Sequence, residues 1–560
     1  MGAALLLALA CGLLHGSALR NGWHSDDPAI LNFATLYSPW QYFSSRDVML
    51  QQSYASLTPW NALFYDIGLP WFGLNPRGHY LHMLAVLWAT AFATYSLLWR
   101  RLGAGRALAA ALMFIAMPPT AAISQALMTG HYAYGLLFSV LAIGSFRRAI
   151  DRNSGAWSLA SAGLYAMACL CKEVYVPLPV ALLLMPAGDW RQRLKLALPV
   201  LGVGMGYTVL RLWVLGGVGG YAALSASEGP QLPSGLPAAA SLLRSLKLLN
   251  FGQGAPGFVA LALALLVLAL AWFRRRRAPA NFVLVSAAAL LLPVLPVLLL
   301  PDFPHGPDRL AFAMAWALAV LIAWHLQGQR WWPAVAVPLI VLLAVNQRQV
   351  NDRVSSRQTA KPAEYGFLTS ADAQQVLVPH HYEMVGYLEL IAQASSRLSG
   401  RGSPRIVKDE EELVALGADP GRRSWAWRDD CACLRPLGDD YDRRVQAFLR
   451  RLASGAGRRM SVTLSLDGRG RNKVFRWAVA GPPGQVYLDV RHVSRLALPR
   501  AGTLAFGVDS SVPLGNPALL RVTLETEDGA LIRSPLLALP TGGSHTTSWP
   551  PMPDNPKARP

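Results

Sequence analysis

Long apolar runs alternate with short polar stretches through the first 346 positions of the chain. A helix needs roughly 17–25 mainly apolar residues to cross a bilayer, and most of the runs reach or approach that length. The first run lacks a basic start and many others follow it, which favours a retained helix over a cleaved signal peptide. The pattern predicts eleven membrane-spanning segments, at 3–19, 80–99, 107–123, 132–146, 157–171, 174–187, 196–215, 258–273, 280–300, 310–326 and 333–346.

The composition favours a membrane protein over a soluble enzyme. Of the 560 residues, 53% are hydrophobic and 15% are charged, whereas a typical soluble domain is about 25% charged. The net charge is +19, but basic clusters between apolar runs explain much of it, so nucleic acid is not an expected partner. The five cysteines lack the spacing of a disulfide framework or a structural zinc site.

Basic residues concentrate in one set of loops between the predicted helices. The positive-inside rule places these loops in the cytoplasm, so with an odd number of helices the region after residue 350 lies on the other side. We therefore expect a multi-pass protein of the bacterial cytoplasmic (inner) membrane with a periplasmic or extracellular C-terminal region. The basic residues are Arg100, Arg101, Arg106, Arg147, Arg148, Arg152, Arg191, Arg193, Lys195, Arg274, Arg275, Arg276, Arg277 and Arg330.

After residue 346 the elements become shorter and more polar. Residues 374–417 predict strand, helix, strand and helix, and from about residue 460 alternating apolar positions predict β-strands. The strand runs are Ser461–Leu466, Val474–Val479, Val486–Val490, Thr503–Val508 and Leu519–Thr526. The expected domains are a multispanning membrane domain at 1–346, a small α/β unit at 351–455, a β-rich sandwich-like unit at 456–545 and a disordered tail at 546–560.

Two adjacent carboxylates, Asp26 and Asp27, stand just outside the first predicted helix. Asp27 precedes a proline, which is typical of a helix N-cap and favours a structural role for it. Asp26 is the better candidate for a general base toward an acceptor hydroxyl, or for a ligand to a divalent cation. The aromatic-rich stretches that follow, Ile30–Phe43 and Trp60–Phe72, suit helices lying at the membrane interface.

A second group of charged residues is basic. Lys172 and Glu173 stand together between two apolar runs, where burying either charge costs a few kcal/mol. They are either a mutually compensating pair, or a lysine that snorkels to the interface, or a lysine that binds the phosphate of a lipid-linked substrate. Arg211 and Arg309 lie on the same predicted side, at the ends of the seventh and tenth helices. Arg309 has the alternative of pairing with Asp302 or Asp308.

Together, these motifs resemble polytopic glycosyltransferases of the GT-C fold. The motifs are Asp26-Asp27, Lys172-Glu173 with a following proline, Arg211 to Gly217, and Asp308-Arg309. The resemblance covers about residues 20–325 and is to the O-mannosyltransferase-like group with tetratricopeptide repeats and, more distantly, to aminoarabinose transferases. The expected fold class is therefore an α-helical polytopic membrane protein of about 11 helices, GT-C-like, with a C-terminal extracytoplasmic α/β plus β-sandwich-like region.

Two features depart from that family. The C-terminal repeats of the O-mannosyltransferase-like group are absent, which puts the acceptor in doubt. The short loop from Gln125 to His131 has no acidic residue, where relatives often carry one.

The resemblance implies a polyprenyl-phosphate sugar lipid as donor and inverting transfer to a glycan, lipid or protein acceptor. Asp26, with Asp27 beside it, then receives the acceptor proton. Three basic residues bind the donor phosphate: Lys172, Arg211 and Arg309. Glu173 and His131 are supporting residues, although a lone histidine in a short loop is more often structural. No cofactor is certain, and a divalent cation at Asp26 is one option.

Three other protein classes fit the sequence less well. A transporter is disfavoured because nearly all acidic residues of the membrane half lie in loops rather than at mid-depth. An O-antigen or polysaccharide polymerase or ligase is the nearest enzyme alternative, and should depend on external Arg and His rather than on Asp26. A non-catalytic envelope assembly protein that binds through its C-terminal β unit leaves Asp26 and Lys172 unexplained.

Overall fold

The computed structural model describes two compact units, one within residues 1–359 and the other within 360–560. In the first, the helical unit, the described residues are 2–53, 56–217, 259–260, 262–264, 266, 309 and 311–358. In the second, the C-terminal unit, they are 375–377, 385–407, 410, 424–428, 433–437, 440–467, 472–490, 493–507, 519–538 and 544–549.

The helical unit contains α-helices joined by short turns, three of which are 3-10 turns at Gly16–Arg20, Leu127–Thr129 and Glu173–Tyr175. In chain order the described helices are α1 (Gly2–His15), α2 (Asp27–Leu36), α3 (Gln41–Ser44), α4 (Arg46–Gln52), α5 (Trp60–Phe72), α6 (Pro76–Leu102), α7 (Ala104–Ala116), α8 (Pro118–Ser124), α9 (Gly130–Arg152), α10 (Gly155–Cys171), α11 (Leu178–Leu183), α12 (Trp190–Leu215), α13 (Phe312–His325) and α14 (Trp332–Gln358).

Within the described residues, four helices are long and apolar enough to cross a membrane: Gly2–Arg20, Pro76–Leu102, Leu127–Arg152 and Trp190–Leu215. There are five if α7 and α8, which bend by 59° at Pro118, form one broken span. The expected class of a helical multi-pass membrane protein is therefore confirmed. The count of eleven stays a prediction, because the segments 258–273 and 280–300 lie almost wholly outside the described residues.

Helix α12 shows why these helices suit a bilayer. It begins after Asp189, whose carboxylate accepts a hydrogen bond from the Gln192 amide at 2.8 Å, and ends at Gly216, whose φ is +72°. Its outer face exposes apolar side chains, including Leu198, Met205, Val209 and Trp213, whereas Arg211 is only 3% exposed. The helix thus presents apolar surface outward and turns its arginine inward, as a membrane environment requires.

The turn that follows α10 packs closely on α9. The Tyr175 ring lies against Gly135, where a Cβ atom would come within 2.2 Å of it. The Tyr175 hydroxyl also donates to the backbone carbonyl of Tyr132 at 2.7 Å. A glycine at position 135 therefore allows the turn at Glu173–Tyr175 to settle on the start of α9.

The C-terminal unit begins with a mixed sheet and continues as a β-sandwich. The elements are β1 (Gln375–Leu377), α15 (Val385–Ser399), β2 (Arg405–Val407), β3 (Ser424–Arg428), β4 (Cys433–Pro436), α16 (Asp440–Gly455), β5 (Met460–Asp467), β6 (Asn472–Ala480), β7 (Gly484–Val490), β8 (Val493–Leu498), β9 (Ala501–Gly507), β10 (Leu519–Thr526), β11 (Leu531–Arg533), β12 (Leu537–Ala538) and β13 (Ser544–Trp549). In the first sheet, of order β2-β1-β3-β4, β1 is parallel to both β2 and β3, and β4 is antiparallel to β3. Two antiparallel sheets follow, one of order β13-β5-β6-β9 and one containing β11-β10-β7-β8 with β12 paired to β10.

The core of the sandwich follows from alternation along its strands. Val462 and Leu464 of β5 and Phe475 of β6 pack in one buried cluster with Leu488 of β7 and Val522 of β10. These residues recur at every second position, so each strand turns one face toward the opposite sheet. The expected α/β and β-sandwich-like regions are both present.

One expectation about this region is wrong. The sequence predicts a disordered tail from residue 546, but Ser544–Trp549 forms β13, which pairs antiparallel with β5 over six residues. Its sequence contains two threonines and a tryptophan, residue types that are enriched in strands. Residues 550–560, with five prolines, lie outside the described residues.

Candidate functional site

The segment just after the first predicted span forms a tightly held acidic loop, Trp23–Asp27. Trp23 is buried, and its indole N–H donates to the carbonyl of Leu74 at 3.2 Å. Ser25 has a φ of +52°, in the left-handed region that non-glycine residues rarely adopt. The two neighbouring carboxylates differ sharply in exposure, since Asp26 is exposed while Asp27 is fully buried.

Asp27 acts as an anchor rather than as the expected N-cap. The helix α2 already includes Asp27, and the residue before it, Asp26, makes no side-chain capping bond. The Asp27 carboxylate accepts from the backbone amide of His24 at 3.0 Å and from the Tyr65 hydroxyl at 2.7 Å. Burial raises the pKa of the Asp27 carboxyl above its ordinary value, while these hydrogen bonds and the nearby His24 act in the opposite direction.

The other end of the loop is held by His24. Its Nε2 lies 3.0 Å from the Tyr80 hydroxyl and 3.0 Å from the backbone carbonyl of Gln125. Both partners belong to helices or turns of the membrane core, and all three residues are buried. The loop is therefore tied to the helical unit on both sides of Asp26.

The basic half of the site centres on Glu173. Its Oε1 accepts from the Arg211 guanidinium and, at 2.9 Å, from the backbone amide of Leu57, while its Oε2 lies 3.4 Å from Lys172 Nζ. Two cations thus share one carboxylate. The cluster is therefore more than a two-residue pair of Lys172 and Glu173, because Arg211 meets the same carboxylate.

Lys172 and Arg211 meet this carboxylate from different elements. Lys172 Nζ also donates to the Ser56 hydroxyl at 3.0 Å and lies 5.8 Å from the centre of the Tyr132 ring. The Arg211 side chain is almost wholly buried, on the inward face of α12. The interfacial segment before α5 therefore joins the basic cluster, through Ser56 and Leu57.

Met128 lies between the acidic loop and the basic cluster. Its backbone lies close both to the Asp27 carboxylate and to the ring of buried His131. That ring is in electrostatic range of Lys172 and Arg309. His131 Nδ1 and Arg309 Nε are buried without a hydrogen-bond partner among the described residues. The backbone at Met128 thus links Asp27 to His131.

Asp302 and Asp308, the alternative partners of Arg309, lie outside the described residues. In the part of the chain that the structure describes, no three His, Cys, Asp or Glu side chains come together in a way that could hold a metal ion. A cation at Asp26 would therefore need ligands from the substrate or from residues outside that part.

Sequence reasoning missed several residues of the site. Tyr65 holds Asp27 from 38 positions away, and Ser56 reaches Lys172 across 116 positions. Neither has a motif around it. The one available signal was the aromatic density of Trp60–Phe72, which indicated an interfacial helix but not a partner for a carboxylate.

Comparisons with known proteins give structural neighbours only. No protein-family model matches the chain, and no curated protein is significantly similar to it. ArnT from Cupriavidus metallidurans bound to undecaprenyl phosphate is similar with a TM-score of 0.44 and 13% identity, over 76% of this chain and 93% of that chain. Its apo state has a TM-score of 0.44 and 14% identity, over 82% and 92%.

A third neighbour is the oligosaccharyltransferase from Archaeoglobus fulgidus in complex with Zn and sulfate, with a TM-score of 0.37 and 13% identity, over 72% of this chain and 62% of that chain.

Proposed function

We propose that this chain is a membrane glycosyltransferase that moves a sugar from a polyprenyl-phosphate donor to an extracytoplasmic acceptor, with inversion at the anomeric carbon. The observation that carries the proposal is the basic cluster, in which Lys172 and Arg211 share the single carboxylate of Glu173. Two cations gathered among apolar helices form a site at which a phosphate is bound by charge-assisted hydrogen bonds. A lipid phosphate that enters from the bilayer supplies such an anion.

The same cluster suits the chemistry of the leaving group. When the bond between the anomeric carbon and the phosphate oxygen breaks, the lipid phosphate departs with an additional negative charge. Cations already positioned beside it stabilise that charge in the transition state without reorganising. Lys172 and Arg211 hold this place, and Arg309, whose Nε has no partner among the described residues, adds to the field.

The acidic loop supports the other half of the reaction. The acceptor hydroxyl forms a new bond to the anomeric carbon from the side opposite the phosphate, and its proton passes to a base. Asp26 is an exposed carboxylate on a loop anchored through Asp27 and His24. Its neighbour Asp27 is buried and already occupied by two donors, so we assign the base to Asp26 and anchoring to Asp27.

The proposal is tested with purified protein and a labelled polyprenyl-phosphate sugar. Asp26→Asn should stop sugar transfer while leaving the protein inserted and folded. Asp47→Asn is the matched control, because Asp47 is an exposed carboxylate on the same interfacial segment, in α4. Equal transfer by the wild type and Asp26→Asn would remove Asp26 from the reaction.

The lipids that accumulate on deletion separate this function from its nearest alternative. A glycosyltransferase of the proposed kind leaves its polyprenyl-phosphate monosaccharide unused. Accumulation of polyprenyl-diphosphate oligosaccharides alone would favour a polymerase or ligase instead. A cell extract analysed by mass spectrometry distinguishes the two.

We also propose that the C-terminal unit lies outside the cytoplasmic membrane of a bacterium, as the distribution of basic loops supports. A reporter fused after residue 350 should be active only if it works in the periplasm. Activity of a cytoplasm-specific reporter at that position would reverse the topology and move Asp26 to the wrong side.

A further inference from the structure

Gln125 is a buried amide on which several polar groups of the acidic loop converge. The side chain is 1% exposed, at the turn that follows α8. Its backbone carbonyl is 3.0 Å from His24 Nε2, 3.2 Å from the Tyr80 hydroxyl and 3.4 Å from Asn21 Nδ2. A carbonyl oxygen only accepts hydrogen bonds, so the two side-chain donors, Tyr80 and Asn21, point toward it, as does His24 when its Nε2 carries the proton.

The side chain of Gln125 determines where that carbonyl sits. Its Oε1 accepts from Asn21 Nδ2 at 2.8 Å, and its Nε2 lies 3.2 Å from the Ser17 hydroxyl and 3.4 Å from Asn351 Oδ1. Asn351, on α14, is itself buried and donates to the carbonyl of Leu14. One amide therefore joins the 3-10 turn that follows α1, the turn after α8 and the helix α14.

The consequence reaches Asp26 through two residues. His24 is held by the Gln125 carbonyl, and His24 Nδ1 lies 3.4 Å from the hydroxyl of Ser25. Ser25 has the left-handed backbone, with φ of +52°, that immediately precedes Asp26. A shift of the Gln125 carbonyl would move His24 and release the strained residue beside the proposed base.

We propose that Gln125 is a positioning residue, which ties α14 to the acidic loop and so sets the orientation of Asp26. The inference rests on the proposed function only in so far as Asp26 acts on the acceptor. It also gives a role to the loop of 125–131, in which an amide stands at the beginning and no acidic residue occurs.

The first test is kinetic and uses Gln125→Met, which keeps the length of the side chain and removes its polar atoms. Because misplacing a catalytic group by about 1 Å costs roughly 100-fold in rate, we expect turnover to fall about 10-fold to 100-fold. Donor-lipid affinity should stay at the wild-type value, since the basic cluster is untouched. A parallel loss of affinity and turnover would mean general disruption and overturn the proposal.

Two further variants keep the test decisive if Gln125→Met inserts poorly. Asn351→Leu and Ser17→Ala each remove one partner of the Gln125 amide, and each should lower turnover with donor affinity unchanged. The double variant Gln125→Met/Asn351→Leu should have the same turnover as Gln125→Met alone, because both changes break the same contact between Gln125 and Asn351. Additive losses of turnover would show that Asn351 acts independently of Gln125 and would overturn the proposed link to α14.

The matched control is Gln192→Met. Gln192 is also an amide that bridges two elements, since its Nε2 donates to the carbonyl of Ile150 at 3.0 Å, but it belongs to the arginine-rich side. It should leave turnover unchanged. A loss equal to that of Gln125→Met would point to amide removal in general rather than to the loop.

The second test does not depend on enzyme activity. A cysteine at position 26, made by Asp26→Cys with Cys431→Ser and Cys433→Ser, is labelled with a membrane-impermeant maleimide; Cys11, Cys169 and Cys171 are buried. Adding Gln125→Met should raise the labelling rate, and adding Gln192→Met should not. An unchanged rate overturns the positioning role, whereas absence of sugar transfer by the wild type with a raised rate overturns only the proposed function.

Discussion

The acidic loop and the basic cluster lie in the same helical unit but are held by different kinds of interaction. In the loop, the buried carboxylate of Asp27 is satisfied by a backbone amide and a tyrosine hydroxyl, both neutral donors. In the cluster, the carboxylate of Glu173 is shared by two cations and one backbone amide. One region is fixed by neutral hydrogen bonds and the other by ion pairs.

The two kinds of interaction suit different tasks. Neutral, directional bonds fix orientation and leave the exposed neighbour, Asp26, to act on a substrate. Shared ion pairs hold cations in place, which suits the phosphate binding proposed for Lys172 and Arg211. A reaction that needs an oriented base and a stabilised leaving phosphate needs both kinds of region.

The largest expected effect separates the two regions in one preparation. Asp26→Asn should lower turnover by roughly 100-fold or more, the range for a lost general base, with donor affinity nearly intact. Lys172→Ala should instead weaken donor binding by about 1.5–3 kcal/mol, the range for a hydrogen bond to a charged group. Isothermal titration with the polyprenyl-phosphate sugar and a turnover assay check both.

If Asp26→Asn abolished donor binding and Lys172→Ala left it unchanged, the assigned roles would be wrong. A metal that bridges Asp26 to the phosphate would then be the better account. Arg211→Ala should behave as Lys172→Ala does.

The next effect breaks the sharing in the basic cluster. Glu173→Gln removes the charge between Lys172 and Arg211 and should lower the free energy of unfolding by roughly 3 kcal/mol, the lower end of the range for a broken buried pair. A polyprenyl phosphate should restore more thermal stability to this variant than to the wild type, because its negative charge takes the place of the lost carboxylate. Equal stabilisation of both proteins would show that the phosphate does not bind at this cluster.

A smaller effect tests the neutral anchoring of the loop. Asp27→Asn keeps the shape of the side chain but offers one acceptor where two donors, Tyr65 and the His24 amide, now point. One donor remains unsatisfied, at a cost of about 1–3 kcal/mol. Thermal unfolding should show a larger loss for Asp27→Asn than for Asp26→Asn, because Asp27 is buried and Asp26 is exposed. The reverse order would exchange the two assignments.

The smallest effect concerns Asp66, a carboxylate on helix α5 that belongs to neither region. Burial raises the pKa of Asp66 to about 6 from an ordinary value of 3.8, and the Tyr42 hydroxyl donates to it. The unfolded chain ionises first, so the free energy of unfolding should fall as pH rises from about 4 to about 6 and then level off. Asp66→Asn should remove this dependence.

The measurement is the difference in Tm between wild type and Asp66→Asn at pH 4 and pH 7. Relative to the variant, the Tm of the wild type should be roughly 2 °C higher at pH 4 than at pH 7. A shift of this size corresponds to a change in the free energy of unfolding well below a few kcal/mol. A difference that is constant with pH would show that folding does not raise the pKa of Asp66.

Much of the architecture was predictable because it depends on local patterns. A helix such as Pro76–Leu102 is specified by a run of apolar residues matched to bilayer thickness, and the strand Leu519–Thr526 by alternation with a period of two. The helix end at Gly216 likewise follows from a residue that tolerates positive φ. Each signal is contained in consecutive residues.

The sequence alone also identified Asp26, Lys172, Glu173 and Arg211 as charges that need a reason at a membrane. It did not determine their partners. Glu173 reaches Leu57 across 116 positions, and Gln125 reaches Asn351 across 226. Which polar groups meet is decided by how the helices pack, and in a membrane core every buried polar group must find its partner inside the protein, however distant in the chain.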